Sequence, residues 1–170
     1  VEDYTVNVVN CVYPSIQASG FTTSSVTNNS MRIGWTRGNG SGVMVLAKAG
    51  SAVDFDPNDG YAFTPNSTFG SGVQLGTGNF VVYSGMGTFL DITGLTAGST
   101  YHIAVYEYST NYCFKTPALT GSASTINTGI SSIDRFQASL YPNPFENEIT
   151  IEIKGNNEKV CYEILNSVGM

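Results

Sequence analysis

The chain contains one histidine, His102, the residue type that most often serves as a general base. Histidine-dependent hydrolysis also needs a nucleophile and an orienting carboxylate, and neither stands at a motif spacing from His102. Its neighbours Tyr101 and Ile103 belong to the inward phase of an alternating strand, so His102 is expected on the outer face as a surface partner. The sequence therefore predicts no catalytic residue and a chain that is not an enzyme.

Three carboxylates and an amide lie close together in Asp54-Phe-Asp-Pro-Asn-Asp-Gly60. Oxygen-rich clusters of this kind suit calcium, which makes Asp54, Asp56 and Asp59 candidate ligands and calcium the one cofactor that the sequence suggests. The spacing departs from an EF-hand loop, in which glycine stands at the sixth position and glutamate at the twelfth. The alternative is a pair of turns without metal, since Asp-Pro and Asp-Gly both favour turns.

The three cysteines, Cys11, Cys113 and Cys161, form no Cys-x-x-Cys pair and have no histidine nearby. This pattern argues against structural zinc and leaves room for one disulfide with one odd thiol.

Charge and hydropathy exclude two classes of partner. The formal net charge is −6 and no run of Lys or Arg occurs, so nucleic acid is not expected to bind. No apolar stretch approaches the ~18–20 residues of a membrane span. The chain starts at Val1 without an initiator Met or a charged-then-apolar leader, which suggests an internal fragment.

Apolar runs of strand length, separated by Gly, Asn, Ser and Pro clusters, predict an all-β chain. Short strands at this spacing favour a β-sandwich, with Trp35 and Tyr101 facing one core. The predicted strands are Tyr4–Val9, Ile16–Thr23, Ser30–Thr36, Val43–Ala49, Phe80–Tyr83, Thr88–Thr93, Thr100–Tyr108 and Leu119–Ile126.

Charge density indicates a domain boundary near residue 129. Residues 1–129 carry four basic and seven acidic side chains, and the much shorter 130–170 segment carries three and six. We expect a preceding domain's end or linker at 1–13, a sandwich domain at 14–127, a linker at 128–138 and a second module at 139–170.

The segment Leu95-Thr-Ala-Gly-Ser-Thr-Tyr101 places a Leu and a Tyr across a Gly-containing turn, and Ser30-Met-Arg-Ile-Gly-Trp35 ends on a core Trp. In these segments the sequence resembles the fibronectin type III fold, an immunoglobulin-like β-sandwich. The resemblance implies that Trp35, Leu95 and Tyr101 are core residues, with the Tyr101 hydroxyl bonding back to the turn as a tyrosine corner.

Further segments resemble the version of this domain found beside hydrolases, nucleases and adhesins of Gram-negative bacteria that use type IX secretion. The resemblance covers about residues 14–126 and implies a scaffold or adhesion role, because such domains are seldom catalytic. The segments are Trp35-Thr-Arg-Gly-Asn-Gly-Ser-Gly42, Ala49-Gly-Ser-Ala-Val-Asp54, Phe69-Gly-Ser-Gly72, Gly78-Asn-Phe-Val-Val-Tyr83 and Tyr101-His-Ile-Ala-Val-Tyr-Glu-Tyr108.

A fibronectin type III topology implies that Cys11 and Cys113 occupy the same pole of the sandwich, where a disulfide would tie the N-terminal linker to the domain. Two unpaired thiols are the alternative. The same pole gathers the loop 37–42 and the loop that carries Tyr112 and Phe114, which makes Arg37, Asn39, Tyr112 and Phe114 candidate ligand-binding residues.

Strand aromatics Tyr106 and Tyr108 are expected to be exposed and to extend this surface toward a sugar. The alternative is that these aromatics shield the edge of their own sandwich.

The tail shows a separate resemblance. The segment Ser139-Leu-Tyr-Pro-Asn-Pro-Phe145, followed by the alternating strand Glu148–Lys154, is similar to the type A C-terminal sorting domain of type IX secretion substrates. The resemblance implies that Tyr141, Pro142, Asn143 and Pro144 form a sorting motif read by the secretion machinery. Sorting domains of this kind usually continue beyond the point where this chain ends at Met170, so the domain is expected to be truncated.

At the other end, Val1-Glu-Asp-Tyr-Thr-Val-Asn-Val is similar to the last strand of another β-sandwich domain that often precedes these modules. These resemblances imply a non-catalytic spacer or adhesion module of a larger protein, secreted or on the outer-membrane cell surface. Its expected partners are the secretion machinery and a glycan or surface protein. The alternative is a carbohydrate-binding accessory module of a secreted hydrolase.

Overall fold

The structure is a computed structural model that describes residues 10–127 and two further strands at 137–141 and 150–154. All the regular secondary structure in these ranges is β, which confirms the predicted fold class. The strands are β1 (Ser19–Ser24), β2 (Met31–Thr36), β3 (Gly42–Ala49), β4 (Gln74–Leu75), β5 (Asn79–Gly85), β6 (Phe89–Ile92), β7 (Thr100–Tyr108), β8 (Leu119–Ser124), β9 (Gln137–Tyr141) and β10 (Thr150–Lys154). The chain divides into two compact units, Val1–Thr128 and Gly129–Met170.

Strands β1 to β8 form two antiparallel sheets that face each other. One has the order β1-β2-β6 and the other the order β4-β5-β3-β7-β8. Seven of the predicted strands correspond to observed strands, with ends that differ by a few residues, and the predicted strand Tyr4–Val9 lies outside the described residues. The two-residue strand β4 was not predicted, because a run this short carries no periodicity.

The main core lies between the sheets and follows the alternation of the sequence. Met31, Ile33 and Trp35 of β2 are buried against inward residues of β3 and β7. Trp35 contacts the Tyr83 ring at 5.6 Å between centroids. Their outward neighbours on β2 are exposed or half-buried, so the pleat of one strand separates core from surface.

A tyrosine corner closes one end of this core. Tyr101 is 2% exposed, and its hydroxyl oxygen accepts a hydrogen bond of 2.8 Å from the Thr96 backbone N–H. Leu95, one residue earlier, is also buried in the core cluster. The Tyr101 ring packs edge-on against Phe69, with centroids 4.9 Å apart.

Replacing Tyr101 by Phe is expected to destabilise the sandwich by about 1–3 kcal/mol, because the Thr96 N–H would lose its only acceptor in a partly buried turn. Urea unfolding followed by Trp35 fluorescence measures the change. The matched control is Tyr61→Phe, which alters a side chain that is 64% exposed and is expected to leave the midpoint unchanged. Equal midpoints for Tyr101→Phe and the wild type would contradict the corner's structural role.

A second apolar cluster covers the outer face of the five-stranded sheet. Its strand residues, Met44, Leu46, Val81, Ala104 and Tyr106, are buried against side chains from residues 50–73 and from residues 109–118. The expectation that Tyr106 is exposed is wrong: Tyr106 is 2% exposed, and Tyr108 is half-buried. The long connection between β3 and β4 folds back over the sheet and supplies Val53, Phe55 and Phe63 to this cluster.

Tyr106 ties this connection to the sheet. Its hydroxyl donates a 2.9 Å hydrogen bond to Asp56 Oδ1. Burial of the phenol is the main cause that raises its pKa above the usual value, and the bond to Asp56 is the second. Tyr106→Phe is therefore expected to cost about 0.5–1.5 kcal/mol and to increase proteolytic cleavage within residues 50–73. Limited proteolysis with mass spectrometry measures this increase. Unchanged cleavage would mean that the connection is held without the hydroxyl.

The second unit contains an antiparallel pair of strands, β9 and β10. The register joins Tyr141 to Thr150 at one end and Gln137 to Lys154 at the other. β10 begins at Thr150 within the predicted strand Glu148–Lys154, and β9 begins inside the predicted linker 128–138. Tyr141 is the last residue of β9, whereas Pro142, Asn143 and Pro144 of the predicted sorting motif lie outside the described residues.

Candidate functional site

The loop 37–41, between β2 and β3, encloses a buried carboxylate. Glu107 lies near the end of β7 in phase with the core residues of that strand and is 0% exposed. Its Oε1 accepts hydrogen bonds from Arg37 Nε at 2.8 Å and from the Gly38 N–H at 2.7 Å. Its Oε2 accepts from Arg37 Nη2 and the Gly40 N–H, both at 3.0 Å. The carboxylate therefore has four donors, two at each oxygen.

Two further bonds hold the Arg37 guanidinium inside the domain. Nη2 donates to the Gly40 carbonyl at 2.9 Å and Nη1 to the Met86 carbonyl at 3.0 Å. The hydrogen bond with Glu107 raises the pKa of the Arg37 guanidinium. Arg37, predicted to bind a ligand, instead joins three segments of its own fold.

Two glycines of this loop are required by close packing around Glu107. A Cβ at Gly40 would lie 2.6 Å from Glu107 Oε2 and 2.7 Å from the Tyr108 carbonyl oxygen. A Cβ at Gly38 would collide with the backbone of Ile16. The sequence Arg37-Gly-Asn-Gly therefore forms this loop because a larger residue cannot approach the carboxylate and the N-terminal segment so closely.

Asn39 binds the N-terminal segment. Its Oδ1 accepts from the Ile16 N–H and its Nδ2 donates to Ser15 Oγ, both at 2.8 Å. Gln17 continues the contact, because its amide donates to the carbonyls of Lys115 and Pro117 and accepts from the Glu107 N–H. The polar side chains at this pole are therefore hydrogen-bonded within the domain. Asn39 is exposed, but its side-chain oxygen and nitrogen both have partners.

The aromatic residues of the loop after β7 do not form an exposed flat pair. Phe114 is 3% exposed, so its predicted contact with a ligand is wrong. Tyr112 is half-buried and stacks on Tyr108 with 5.2 Å between centroids. Phe114 contacts Tyr108 and Phe63, so these rings cover the outer face of their own sheet, where the prediction had placed them at the edge of the sandwich.

Cys11 and Cys113 are joined by a disulfide that spans 102 residues of sequence, with 5.5 Å between the Cα atoms. Asp59 lies beside it. Asp59 Oδ1 accepts from the Phe114 N–H at 2.7 Å and Oδ2 accepts from the Tyr13 hydroxyl at 2.6 Å. Both bonds reinforce the covalent link between the N-terminal segment and the loop 109–118.

The predicted calcium ligands point to different partners. Asp54 accepts from Lys48 Nζ at 2.6 Å and from Asn79 Nδ2 at 2.9 Å, which lowers the pKa of its carboxyl. Asp56 accepts from Tyr106, and Asp59 binds as described above. Within residues 10–127, these three carboxylates do not converge on one point. The one group of side chains there whose spacing could hold a metal ion is Cys11, Asp59 and Cys113, and its two sulfur atoms are bonded to each other in the disulfide. The geometry is therefore that of separate structural contacts.

His102 lies on β7 between Lys48 of β3 and Ser122 of β8 in the sheet register. Its side chain is half-buried, outside both core clusters. In the part of the chain that the structure describes, the imidazole makes no hydrogen bond or ion pair.

A surface that the sequence did not predict lies on the outer face of the three-stranded sheet. It is a shallow groove of about 310 Å³ that crosses β1, β2 and the start of β6. Register pairs Gly34 of β2 with Phe89 of β6 and with Thr22 of β1, so the glycine forms a floor between two side chains. The sequence shows each residue in its outward phase, but the pairing of distant strands is visible only in the structure.

The comparison with known proteins found similarity only to solved structures. No protein-family model matches the chain. No curated protein matches it either. The fibronectin type III domain of human fibronectin type III domain containing protein 3 is 14% identical, with a TM-score of 0.47 over 74% of this chain and 99% of that chain. The FN3 domain of human collagen XX is 14% identical, with a TM-score of 0.42 over 70% and 100%. The FN5 domain of Drosophila Lar is 12% identical, with a TM-score of 0.39 over 65% and 97%.

The class of the first unit follows from its own architecture. Two antiparallel sheets of order β1-β2-β6 and β4-β5-β3-β7-β8, a buried Trp35 and the Tyr101 corner define a fibronectin type III-like sandwich. Among the residues described, no helix has the length and apolarity needed to cross a membrane.

Proposed function

We propose that this chain is a non-catalytic spacer or adhesion module of a larger secreted or cell-surface bacterial protein, and that its C-terminal segment is read by the type IX secretion machinery. The observation that carries the spacer role is the pole around Glu107. The groups there that could meet a substrate are bonded within the domain, Arg37 to the Glu107 carboxylate and Asn39 to the Ile16 N–H. A loop whose polar groups are already bonded within the domain keeps its geometry and leaves few of those groups for a ligand.

The disulfide supports a location outside the cytoplasm. Disulfides persist in oxidising compartments and are rare where thiols are kept reduced. The Cys11–Cys113 bond joins the N-terminal segment to the loop 109–118, across a sequence separation of 102 residues. A pull on the N-terminal segment therefore reaches the body of the domain through a covalent bond, which suits a module that holds a neighbouring domain in place.

The resemblance of the tail supports the sorting role. Tyr141 ends β9, and β10 follows after Pro142, Asn143 and Pro144. Proline fixes φ and removes a backbone donor, so the two prolines distinguish the sequence Tyr-Pro-Asn-Pro from that of a helix or a central strand, which suits its recognition as a sorting signal.

Export from a bacterium that has type IX secretion tests this proposal. The full chain is fused behind a periplasm-folding fluorescent protein with a cleavable leader. We expect fluorescence in the medium or on the surface of the parent strain and retention in a strain without the secretion pore. Asn143→Ala/Pro144→Ala should also be retained, whereas Tyr61→Ala, an exposed change in the first unit, should be exported. Export that does not depend on the pore or on the motif would contradict the proposal. No export of this chain, whose sorting domain is expected to be truncated, would show that residues 139–170 are not a sufficient signal.

The alternative function, a carbohydrate-binding accessory module, loses the residues on which it first rested. Phe114 is buried, and Arg37 and Asn39 are held inside the loop framework. The surface that favours glycan recognition is instead the groove on the three-stranded sheet.

A further inference from the structure

Free hydroxyl groups distinguish the groove from the pole around Glu107. Thr22, Ser24, Thr36 and Thr88 line the groove and are exposed. Their hydroxyls form no hydrogen bond with any other described residue, in contrast to the polar side chains near Glu107. Each hydroxyl can donate and accept, which is the bonding capacity that a polyhydroxylated ligand matches.

An aromatic ring stands at the edge of the groove. Phe89 opens β6 in an outward position and is 53% exposed, although the Arg32 guanidinium lies 4.6 Å from the ring centroid. This cation–π contact restrains the ring. The exposed part of the ring remains available to the C–H face of a sugar. A restrained aromatic platform loses little conformational entropy when a ligand stacks on it.

The groove is electrically balanced. Arg32 is its one charged lining residue in the described part of the chain, and its Nε and Nη2 donate to the two oxygens of Asp91, both at 2.7 Å. A bidentate pair of this kind satisfies both charges. The groove therefore offers no unpaired cation for an acidic ligand.

We propose that this groove binds neutral hexose units of a glycan, which stack on Phe89 and hydrogen-bond to the hydroxyls around Gly34. This inference deepens the adhesion part of the proposed function and rests on it. The groove has a volume of about 310 Å³, at the lower end of the roughly 300–1,000 Å³ that ligand sites span. This volume suits one or two sugar units. A ligand held by one ring and a few hydroxyls is expected to bind at millimolar concentrations.

Nuclear magnetic resonance titration of the full chain tests the proposal. The probes are cellohexaose, mannohexaose and hexa-N-acetylchitohexaose, with hexagalacturonic acid as the acidic comparison. We expect at least one neutral probe to shift backbone amides of β1, β2 and β6, including those of Thr22 and Gly34. The acidic probe should produce no such shifts.

Two variants alter the groove by different means. Phe89→Ala removes the platform and is expected to weaken binding about tenfold. Gly34→Ala places a methyl group 2.7 Å from Thr22 Oγ1, which fills the floor, and should weaken binding comparably while Phe89 remains. Tyr61→Ala removes another exposed aromatic side chain, 64% exposed against 53% for Phe89, and should leave affinity unchanged. Unshifted amides away from the substitution establish that each variant is folded.

The proposal is overturned if no neutral probe shifts the groove amides at millimolar concentration, or if only the acidic probe does. It is also overturned if Phe89→Ala and Gly34→Ala bind as well as the wild type, or if the shifts centre on Arg37 and Asn39. These failures are distinct from a failure of the proposed function, because export and its dependence on the tail motif are measured without any glycan.

Discussion

Substitution of Glu107 by Gln is expected to lower the free energy of unfolding of the sandwich by about 3–5 kcal/mol. The buried carboxylate accepts four hydrogen bonds, two of them from Arg37. A glutamine amide presents an NH₂ group to two of these donors and leaves the guanidinium without its counter-charge. The Arg37 side chain is 19% exposed, so its charge would remain largely covered after its partner is removed, and an unpaired charge at such a site is strongly destabilising.

Urea unfolding monitored by Trp35 fluorescence measures this loss. The matched control is Asp91→Asn, which breaks the other bidentate Arg pair at an exposed position, where water replaces the lost bonds. The midpoint of the control is expected to move little. Equal midpoints for Glu107→Gln and Asp91→Asn would show that the buried network does not stabilise the fold.

Reduction of the Cys11–Cys113 disulfide is expected to cost about 2–5 kcal/mol, because the bond closes a loop of 102 residues and restricts the unfolded chain. The chain is best studied on a Cys161→Ser background, where no third thiol can exchange. Intact mass before and after reduction should differ by two hydrogens. Thermal unfolding with and without reductant then gives the change in stability.

The control for this measurement is the double variant Cys11→Ser/Cys161→Ser, which keeps the buried Cys113 and cannot form the bond. Its unfolding midpoint should match that of the reduced parent and should not respond to reductant. An unchanged mass after reduction would show that the two thiols are unpaired in solution. A changed mass with an unchanged midpoint would show that the bond forms without stabilising the domain.

The strands and the main core were predictable because they depend on local pattern. Met31, Ile33 and Trp35 alternate with outward residues, and burial follows that alternation residue by residue. The Tyr101 corner was predicted from the resemblance of Leu95-Thr-Ala-Gly-Ser-Thr-Tyr101 to the fibronectin type III fold, and the bond from the Thr96 N–H to the Tyr101 hydroxyl confirms it.

The second cluster was not predictable from local pattern. Phe55 and Phe63 lie in a connection rich in Asp, Asn, Pro and Gly, where apolar residues show no strand or helix period. They are buried because the long connection between β3 and β4 folds back over the sheet. The spacing of residues in the sequence does not indicate this fold-back. Tyr106 and Phe114 were therefore expected at the surface, although both are covered.

The burial of Glu107 could have been predicted from the alternation of β7. It is in phase with Tyr101, Ile103 and Val105, the inward residues of β7. A carboxylate in the inward phase of a core strand needs donors, and the loop Arg37-Gly-Asn-Gly supplies a guanidinium and two N–H groups. The groove beside Phe89 had no comparable signal, because it depends on the register between β1, β2 and β6.

Amide hydrogen exchange at Gly38 and Gly40 tests most directly the central claim that this pole is built to hold the fold. Both N–H groups are bonded to the buried Glu107, so their protection in the full chain should approach that of the β7 amides and should fall in any folded Glu107→Gln protein. Exchange of the two glycine amides at the rate of an unstructured peptide would show an adaptable recognition loop and would contradict the account.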